Sequence, residues 1–304
     1  MVFVNHFCTI TTFSHLYKVQ ALADSLKAQR REFLLHVLVT NSNADISYSD
    51  CKFWKVADLK SELSASVILE KYSGKPDKLR WSLKPVFLKF LLQREIGKVL
   101  YIDNDQFFYS DYSFLFDLLD QHSVLLTPHY YPNSPKKEQN WLEANFRVGL
   151  YNAGFVGANK NAANTLQWWA DCCAYRCEKN SFRGLFDDQK YLDLIPVMDE
   201  GAHIVRNKGC NLASWNRELC ERTTINGEVK ISGEFPVVFI HFNPFTLREI
   251  AAGRDPLLLP HYNTYVEALK KHKPDLGSEE LVQALPLVDK MKYYVWKTIT
   301  EAGL

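Results

Sequence analysis

The sequence has almost no net charge and lacks long apolar runs. Its 36 Lys and Arg are balanced by 35 Asp and Glu, so the basic excess usual for nucleic-acid-binding proteins is absent. No apolar run approaches the roughly 18 residues of a membrane-spanning helix. Only 13 glycines and 12 prolines occur, too few for a collagen-like or linker-like chain. We therefore expect a soluble globular protein that does not bind nucleic acid.

The seven cysteines show no paired spacing. They are Cys8, Cys51, Cys172, Cys173, Cys177, Cys210 and Cys220. An odd, unpatterned set predicts reduced thiols in a cytoplasmic protein. The cluster at 172–177 has no CxxC spacing and no nearby pair of histidines, so it favours buried thiols over a zinc site. The first residues, MVFVNHFCTITTFSHLYK, have no basic region or small-residue cleavage site, and we expect no signal peptide there.

Apolar strands alternate with amphipathic helices along the chain. The predicted strands are Val2–Cys8, Leu34–Thr40, Phe53–Ala57, Lys98–Ile102, Ser123–Leu126, Phe155–Ala158, His203–Asn207, Val229–Ser232 and Val237–Phe242. Helices are predicted after Ser14 and over Leu79–Glu95, Thr165–Arg176, Asp188–Leu194, Tyr265–Lys271, Ser278–Ala284 and Leu287–Thr300. This alternation predicts an α/β protein with a mainly parallel sheet covered by helices. Ligands of such sheets bind beyond the carboxyl ends of the strands.

An acidic triplet, Asp103-Asn104-Asp105, directly follows the apolar strand Val99-Leu100-Tyr101-Ile102. Residues i and i+2 of an extended chain point to the same side. Two carboxylates placed in this way raise each other's pKa unless a cation joins them. Carboxylate oxygens suit Mg²⁺ or Mn²⁺, which complete their coordination with phosphates and water. The alternative is a simple turn, because Asp and Asn favour turns after strands.

Further motifs follow in a fixed order between Pro85 and Phe242. They are KPVFLKFLL, KVLYIDNDQFFYSD, the Phe114-Leu115-Phe116 step, YNAGFVGANK, FDDQKYL and FIHF. In this order and spacing the chain resembles the GT-A glycosyltransferases, and among them the glycogenin-like, retaining enzymes of family 8. The segment GCNLASWNRE, residues 209–218, also resembles a motif of bacterial polysaccharide glycosyltransferases.

The resemblance implies roles for the matching residues. The metal ligands would be Asp103, Asp105 and His241, although a histidine at a strand end is otherwise more often a hydrogen-bonded structural residue. The donor sugar and ribose would lie against Asn104, Asn152, Ala153 and Gly154. By its position after the first strand, the segment from Thr9 to Thr12 would contact the nucleotide base. Candidate cations for the diphosphate are Arg80, Lys84 and Arg248, the last because the lysine that the family places six residues after the late histidine is replaced here by Leu247.

Asp188 and Gln189 are the candidate catalytic residues. The resemblance implies that Asp188 binds hydroxyls of the donor sugar and that Gln189 lies at the reaction centre of a retaining enzyme. In an inverting enzyme, Asp188 would instead be the general base on the acceptor hydroxyl. Both residues also suit the start of a helix, where acidic side chains act as caps. Trp215, in a Gly/Asn/Ser-rich loop, is the best candidate for a sugar-stacking platform.

These observations predict one GT-A (Rossmann-like) catalytic domain over residues 1–250, with a C-terminal helical extension over 251–304. The expected reaction is Mn²⁺- or Mg²⁺-dependent transfer from a nucleotide-diphosphate sugar, a UDP-sugar being favoured, to a hydroxyl of a glycan or other acceptor. Retention is the favoured stereochemistry, and glycan or surface-polysaccharide synthesis is the expected pathway.

Two other functions remain open on the sequence. A nucleotidyltransferase would carry a Gly-rich, basic loop after the first strand, and CTITTFSH is neither. A non-catalytic carbohydrate-binding protein would not need the two acids and the histidine. The basic amphipathic segment Leu287–Thr300 suits a peripheral membrane contact, but packing on its own domain is favoured.

Overall fold

The computed structural model describes residues 4–94, 96–137, 139–277 and 280–281. The strands formed by these residues are β1 (Asn5–Thr11), β2 (Phe33–Val39), β3 (Cys51–Lys55), β4 (Lys98–Ile102), β5 (Gln106–Phe108), β6 (Val124–Pro128), β7 (Tyr151–Asn159), β8 (Glu178–Asn180), β9 (Leu185–Asp187), β10 (Ala202–Ile204), β11 (Arg222–Ile225), β12 (Glu228–Ile231), β13 (Phe235–Pro236) and β14 (Phe239–His241). The α-helices are α1 (Leu16–Ala28), α2 (Ala65–Lys71), α3 (Pro76–Ser82), α4 (Lys84–Leu92), α5 (Ser113–Gln121), α6 (Gln139–Arg147), α7 (Ala163–Tyr175), α8 (Ile195–Met198), α9 (Pro244–Ala251) and α10 (Leu259–His272).

Seven strands form the central sheet in the order β10-β6-β7-β4-β1-β2-β3. All neighbouring pairs in this sheet are parallel except those made by β7, which runs antiparallel to both β4 and β6. The mainly parallel, helix-flanked sheet confirms the predicted fold class. Because β7 is reversed, its first residues lie beside the carboxyl end of β4, where the acidic triplet begins.

The sheet is buried on both faces, and β4 contributes to both cores. Val99 and Tyr101 pack into the core under α4 and α7, whereas Leu100 and Ile102 pack into the core under α1 and α5. Alternate residues of a strand point to opposite faces of the sheet. A strand that is covered on both faces is therefore apolar throughout, which is why it shows no alternation in the sequence.

The segment after residue 250 packs against the rest of the fold. Tyr265 of α10 stacks on Phe242 with 4.3 Å between the ring centroids, and Lys271 and His272 both contact Asp24 of α1 at 2.7 and 2.9 Å. The predicted domain boundary falls inside α9, so the division at residue 250 stays a prediction. Of the helix predicted at 278–284, the structure describes only residues 280–281, which are helical. The helix predicted at 287–300 lies outside the described residues, as does the membrane contact expected from it.

Several predicted elements differ from the structure. The helix predicted over Leu79–Glu95 is two helices, α3 and α4, which meet at Leu83. The helix predicted from Asp188 begins later, as a 3-10 helix over Lys190–Leu194 that continues into α8. The sequence patterns also missed α5, α6 and α9, which are short. Among the described residues, no helix is long and apolar enough to cross a membrane.

Candidate active site

The acidic triplet forms a tight turn between β4 and β5. The N–H of Gln106 donates to the carbonyl of Asp103 at 3.1 Å, and this turn aims both carboxylates at His241. His241 Nε2 lies 3.2 Å from Asp105 Oδ1 and 3.9 Å from Asp103 Oδ2. Ligand atoms of the three residues all lie within 4.8 Å of one another. The structure thus brings together the three side chains that the sequence suggested as metal ligands.

Backbone pairing fixes the position of each side chain in this candidate metal site (Asp103, Asp105 and His241), called the metal cluster below. β14 pairs antiparallel with β5, which places His241 opposite Gln106. The N–H of Asp103 donates to the carbonyl of Gly154 at 2.8 Å. A Cβ atom at Gly154 would lie 2.7 Å from His241 Cε1 and 2.9 Å from Asp103 Oδ2, so only glycine leaves room for the cluster.

Burial and mutual attraction oppose each other in the metal cluster. Burial alone would raise the pKa of Asp105, but the positive charge of the nearby His241 outweighs it and holds this pKa below its ordinary value. Burial alone would lower the pKa of His241. The negative charge of Asp105, and to a smaller extent that of Asp103, outweighs burial and raises this pKa above its ordinary value. Lys18 of α1 also lowers the pKa of Asp105. The motif comparison missed Lys18, whose only sequence signal is its place in the first turn of the helix after β1.

These residues fit a divalent cation. Asp105 Oδ1 is buried and accepts no hydrogen bond of good geometry within the described ranges. Two carboxylates and one imidazole form a donor set suited to Mn²⁺, and the carboxylates also suit Mg²⁺. The metal ligands would be Asp103, Asp105 and His241, and a bound cation would stabilise negative charge on a neighbouring diphosphate.

Lys84 joins the metal cluster to Asp188. Its ammonium group lies 3.4 Å from Asp103 Oδ1 and 3.3 Å from Asp188 Oδ2, and it donates to the carbonyl of Ala153 at 3.0 Å. Only 4% of its side chain is exposed, so Lys84 is a buried cation and not a solvated one. Burial would lower the pKa of Lys84, but Asp103 and Asp188 together raise it, so Lys84 stays charged.

Asp188 is the most deeply buried acid of the site. Burial raises the pKa of Asp188 to about 6, although Lys84 acts in the opposite direction. The indole N–H of Trp169 donates to the backbone carbonyl of Asp188 at 2.9 Å and so ties it to α7. Asp188 follows β9 directly, and the 3-10 helix starts two residues later, so a position as helix cap does not explain its burial.

Gln189 is bonded to the start of β7. Its Oε1 accepts from the N–H of Ala153 at 3.2 Å and from Asn152 Nδ2 at 3.3 Å. Asn152 Oδ1 accepts from the N–H of Gly154 at 2.9 Å, and Asn152 Nδ2 lies 3.1 Å from His129 Nε2. The structure therefore collects Asn152, Ala153, Gly154 and Gln189 beside the metal cluster. The motif comparison missed His129, which lies just after β6 at the same edge of the sheet.

The remaining predicted residues occupy other positions. Thr9 was expected in the loop after the first strand. β1 continues to Thr11, however, so Thr9 lies buried inside the strand. Asn104 donates from Nδ2 to Thr11 Oγ1 at 2.9 Å, which links the acidic turn to the end of β1. Arg80 of α3 pairs with Asp77. Together with burial and Lys18, Arg80 lowers the pKa of His15, so it faces the segment after β1.

Arg248 is half-buried on α9, in the segment that follows His241. Trp215 is 6% exposed, and its ring packs edge-on against His241 with 5.5 Å between the centroids. Trp215 therefore packs against the histidine of the metal cluster. It is too deeply buried to be the sugar-stacking platform suggested by its loop-like sequence.

Comparison with known proteins assigns the chain to a family. It is 30% identical to YfnD of Bacillus subtilis (strain 168), a protein described as uncharacterized, over 250 residues that cover 80% of this chain and 78% of YfnD. The chain belongs to the YfnD family. YfnF of the same strain, also described as uncharacterized, is 27% identical over 255 residues that cover 80% of this chain and 82% of YfnF. No family model matches the sequence.

Among solved structures, the fold is similar to that of the galactosyltransferase LgtC, which was determined with donor and acceptor sugar analogues. The similarity covers 88% of this chain and 95% of LgtC, with a TM-score of 0.52 and 14% sequence identity. The chain therefore has the GT-A glycosyltransferase fold, as its motifs predicted.

Proposed function

We propose that this protein is a metal-dependent glycosyltransferase, which moves a sugar from a nucleotide-diphosphate donor to an acceptor hydroxyl. The observation that carries the proposal is the metal cluster of Asp103, Asp105 and His241 at the carboxyl edge of a GT-A sheet. Ligands of open α/β sheets bind at this edge. LgtC, whose fold is similar, is a galactosyltransferase, which supports the same reaction class for this chain.

The donor diphosphate would bind beside the metal cluster. A bound Mn²⁺ or Mg²⁺ offsets the negative charge that develops on the leaving diphosphate. Lys18 and Arg80 are the side chains best suited to add positive charge, because their electrostatic effects reach Asp105 and His15 at the end of β1. Lys84 was expected to bind the diphosphate, but we propose a different role for it. Its contacts with Asp103, Asp188 and the carbonyl of Ala153 hold the two acids in place.

The donor sugar would lie between Asp188 and the start of β7. Asp188 is placed to accept hydrogen bonds from sugar hydroxyls, and Gln189 presents its amide next to the backbone of Ala153. We propose retention of the anomeric configuration, in keeping with the resemblance to the glycogenin-like enzymes. The ion pair with Lys84 supports this choice, because a carboxylate already committed to an ammonium group is a poor free base for an acceptor hydroxyl.

Metal-dependent hydrolysis of nucleotide sugars tests the reaction class. A panel of UDP-sugars and other nucleotide sugars would be incubated with the full chain and Mn²⁺, and free nucleotide diphosphate would be measured. Asp105→Asn should abolish this release and weaken Mn²⁺ binding in calorimetry. Asp117→Asn is a matched control, since Asp117 is an exposed acid on α5. Full activity of Asp105→Asn, or of the wild type in excess chelator, would contradict the proposal.

Product stereochemistry tests the proposed assignment of Asp188 and Gln189. With retention, Gln189→Ala should slow transfer strongly while nucleotide binding survives, and NMR of the product should show the donor's anomeric configuration. With inversion, Asp188→Asn would remove the base and lower the rate by about 10²–10⁴. Transfer that is insensitive to both substitutions would remove these residues from the reaction centre.

A further inference from the structure

A cavity of about 490 Å³ opens between α3 and the hairpin formed by β8 and β9. Small-molecule sites usually enclose roughly 300–1,000 Å³, so the cavity is large enough for one or more sugar residues. Lys75, Lys78 and Trp81 line it from the side of α3, and Lys179 and Asp187 line it from the hairpin. The donor and metal positions proposed above do not use this cavity.

Two walls of the cavity continue directly into the active site. Asp187 has a left-handed backbone, with φ of 49°, and its carboxylate lies 3.6 Å from Lys179 Nζ in the cavity wall. The next residue, Asp188, pairs with Lys84 beside the metal cluster. On the other wall, Trp81 precedes Lys84 by only three residues. The cavity and the proposed donor site are therefore connected through two short segments of the chain, residues 81–84 and 187–188.

Two lysines of the cavity wall have no acidic partner within the described part of the chain. Each carboxylate of the lining has a cationic partner: Asp77 pairs with Arg80, Glu178 with Arg176 and Asp187 with Lys179. Lys75 is exposed and Lys78 is half-buried, and their ammonium groups form no hydrogen bond or ion pair with any residue that the structure describes. Burial raises the pKa of Asp187, while Lys179 and then Lys78 lower it, so the charge of Lys78 acts on the cavity wall.

Trp81 supplies an aromatic wall. Its side chain is half-buried, and Lys179 Nζ lies 5.5 Å from its ring centroid. The indole N–H has no acceptor among the residues described. An aromatic face beside free hydrogen-bonding groups is the usual makeup of a site that binds a molecule with one apolar face and several polar groups, and a sugar ring is such a molecule.

We propose that this cavity is the acceptor subsite and that it binds a saccharide carrying a carboxylate or phosphate group. The sugar ring stacks on Trp81, its anionic group binds Lys75 and Lys78, and Asp187 accepts hydrogen bonds from its hydroxyls. The assignment as an acceptor rests on the glycosyl transfer proposed above. The binding itself does not depend on transfer, so it can be measured without a donor.

The test follows the indole N–H signal of Trp81 by NMR in the full chain labelled with ¹⁵N-tryptophan, with Trp81→Phe used to assign it. Glucuronic acid, glucose 6-phosphate and glucose are titrated separately, so the first two probes distinguish carboxylate from phosphate. The signal should shift with one or both anionic sugars at concentrations where glucose has no effect. In the double variant Lys75→Gln/Lys78→Gln the affinity should fall about tenfold or more, because charge-assisted hydrogen bonds are lost.

The matched control is Lys60→Gln, which removes an exposed lysine outside the cavity and should leave the titration unchanged. Because Lys60 and Lys75 are exposed and Lys78 is only half-buried, the variants should unfold close to the wild-type temperature. No shift with any probe, or equal affinity for glucose and the anionic sugars, would overturn the proposal. Release of nucleotide diphosphate from the donor is measured in the same variants. If the wild type shows no shift with any probe but still hydrolyses the donor, only the subsite is refuted, whereas absent hydrolysis in the wild type refutes the proposed function.

Discussion

Lys84→Met should destabilise the folded protein strongly, and by an amount that depends on pH. The substitution keeps the length and apolar stem of the side chain but removes the ammonium group that lies 3.3 Å from Asp188 and 3.4 Å from Asp103. Asp188 then remains buried with its charge uncompensated. Removing one partner of a buried ion pair costs about 3–5 kcal/mol of unfolding free energy, and we expect a loss of this size where Asp188 is ionised.

The pH dependence follows from the pKa of Asp188, which burial raises from 3.8 to about 6 in the wild type. A carboxyl group with a raised pKa in the folded state binds a proton there before it does so in the unfolded chain. Its cost to stability is absent below the unfolded pKa and complete above the folded one, at about 1.4 kcal/mol per pKa unit. Without Lys84 the pKa of Asp188 should rise further, so the additional loss appears as the pH increases beyond 6.

Urea unfolding in the presence of chelator at about pH 5 and about pH 8 measures both parts of the prediction. At the lower pH, Asp188 is protonated in the folded state of both proteins, and Lys84→Met should lose less than half of what it loses at the higher pH. The double variant Lys84→Met/Asp188→Asn should recover stability and lose the pH dependence. Equal losses of Lys84→Met at the two pH values, or a loss below about 1 kcal/mol at the higher one, would refute the reasoning.

Three other outcomes are expected. Gly154→Ala should weaken Mn²⁺ binding in calorimetry by about tenfold or more, because the new Cβ meets side-chain atoms of the metal cluster. The control Gly97→Ala, which has no atom within 4 Å of the new Cβ, should bind Mn²⁺ normally. Equal affinities of the two variants would contradict the geometry. Burial lowers the pKa of His36 from 6.5 to about 3. Between these two pH values the unfolded chain takes up a proton that the folded one does not, so the unfolding free energy should fall as the pH drops from 6.5 towards 3. His36→Phe should flatten this slope, and an unchanged slope would contradict the prediction. Arg222→Met should lower the unfolding free energy by about 3–5 kcal/mol, because Arg222 lies 3.3 Å from Asp255 and both side chains are only 2% exposed. A loss below about 1 kcal/mol in urea unfolding would indicate that this ion pair contributes little.

The strands of the central sheet were the most predictable part of the fold. β4 was predicted with its observed bounds, because a strand covered on both faces is a continuous apolar run between polar residues. Short elements were the least predictable. The break between α3 and α4 falls at Leu83, whose backbone is itself helical, two residues before Pro85 in the first turn of α4. A proline removes a backbone hydrogen bond inside a helix and favours a helix start, so the sequence carried a signal for this break that the single helix predicted over Leu79–Glu95 did not use.

The structure brings Asp103, Asp105 and His241 together, as the sequence suggested, but the reasoning from the sequence was incomplete; their role as metal ligands stays a prediction. The argument from an extended chain requires Asp103 and Asp105 to point the same way as residues of a strand. The structure instead has a turn at these residues, which was the competing interpretation. The turn and the candidate metal site are thus one feature, since the turn brings both carboxylates to His241. The histidine, 136 residues after Asp105 in the sequence, could be found only through the motif resemblance.

Burial explains most of what the sequence could not reveal. Lys84 and Asp188 are each typical of exposed helix starts, and only their tertiary contacts show that they form a buried pair. Trp215 occurs in a loop-like sequence, but Arg222 holds that loop from within through the carbonyl of Ala213 at 2.8 Å. Long-range ion pairs and hydrogen bonds of this kind have no local sequence signal, because their partners lie far apart along the chain.

The backbone of β7 organises the site more than its side chains do. The carbonyl of Gly154 accepts from the N–H of Asp103 and from Gln106 Nε2, both at 2.8 Å, and the carbonyl and N–H of Ala153 bind Lys84 and Gln189. Each group is thereby fixed to a central strand of the sheet, and rigid elements hold a site more accurately than loops do. This accounts for a motif, YNAG, that carries little reactive chemistry of its own: its small residues let the acids, the lysine and the amide approach one strand from both sides.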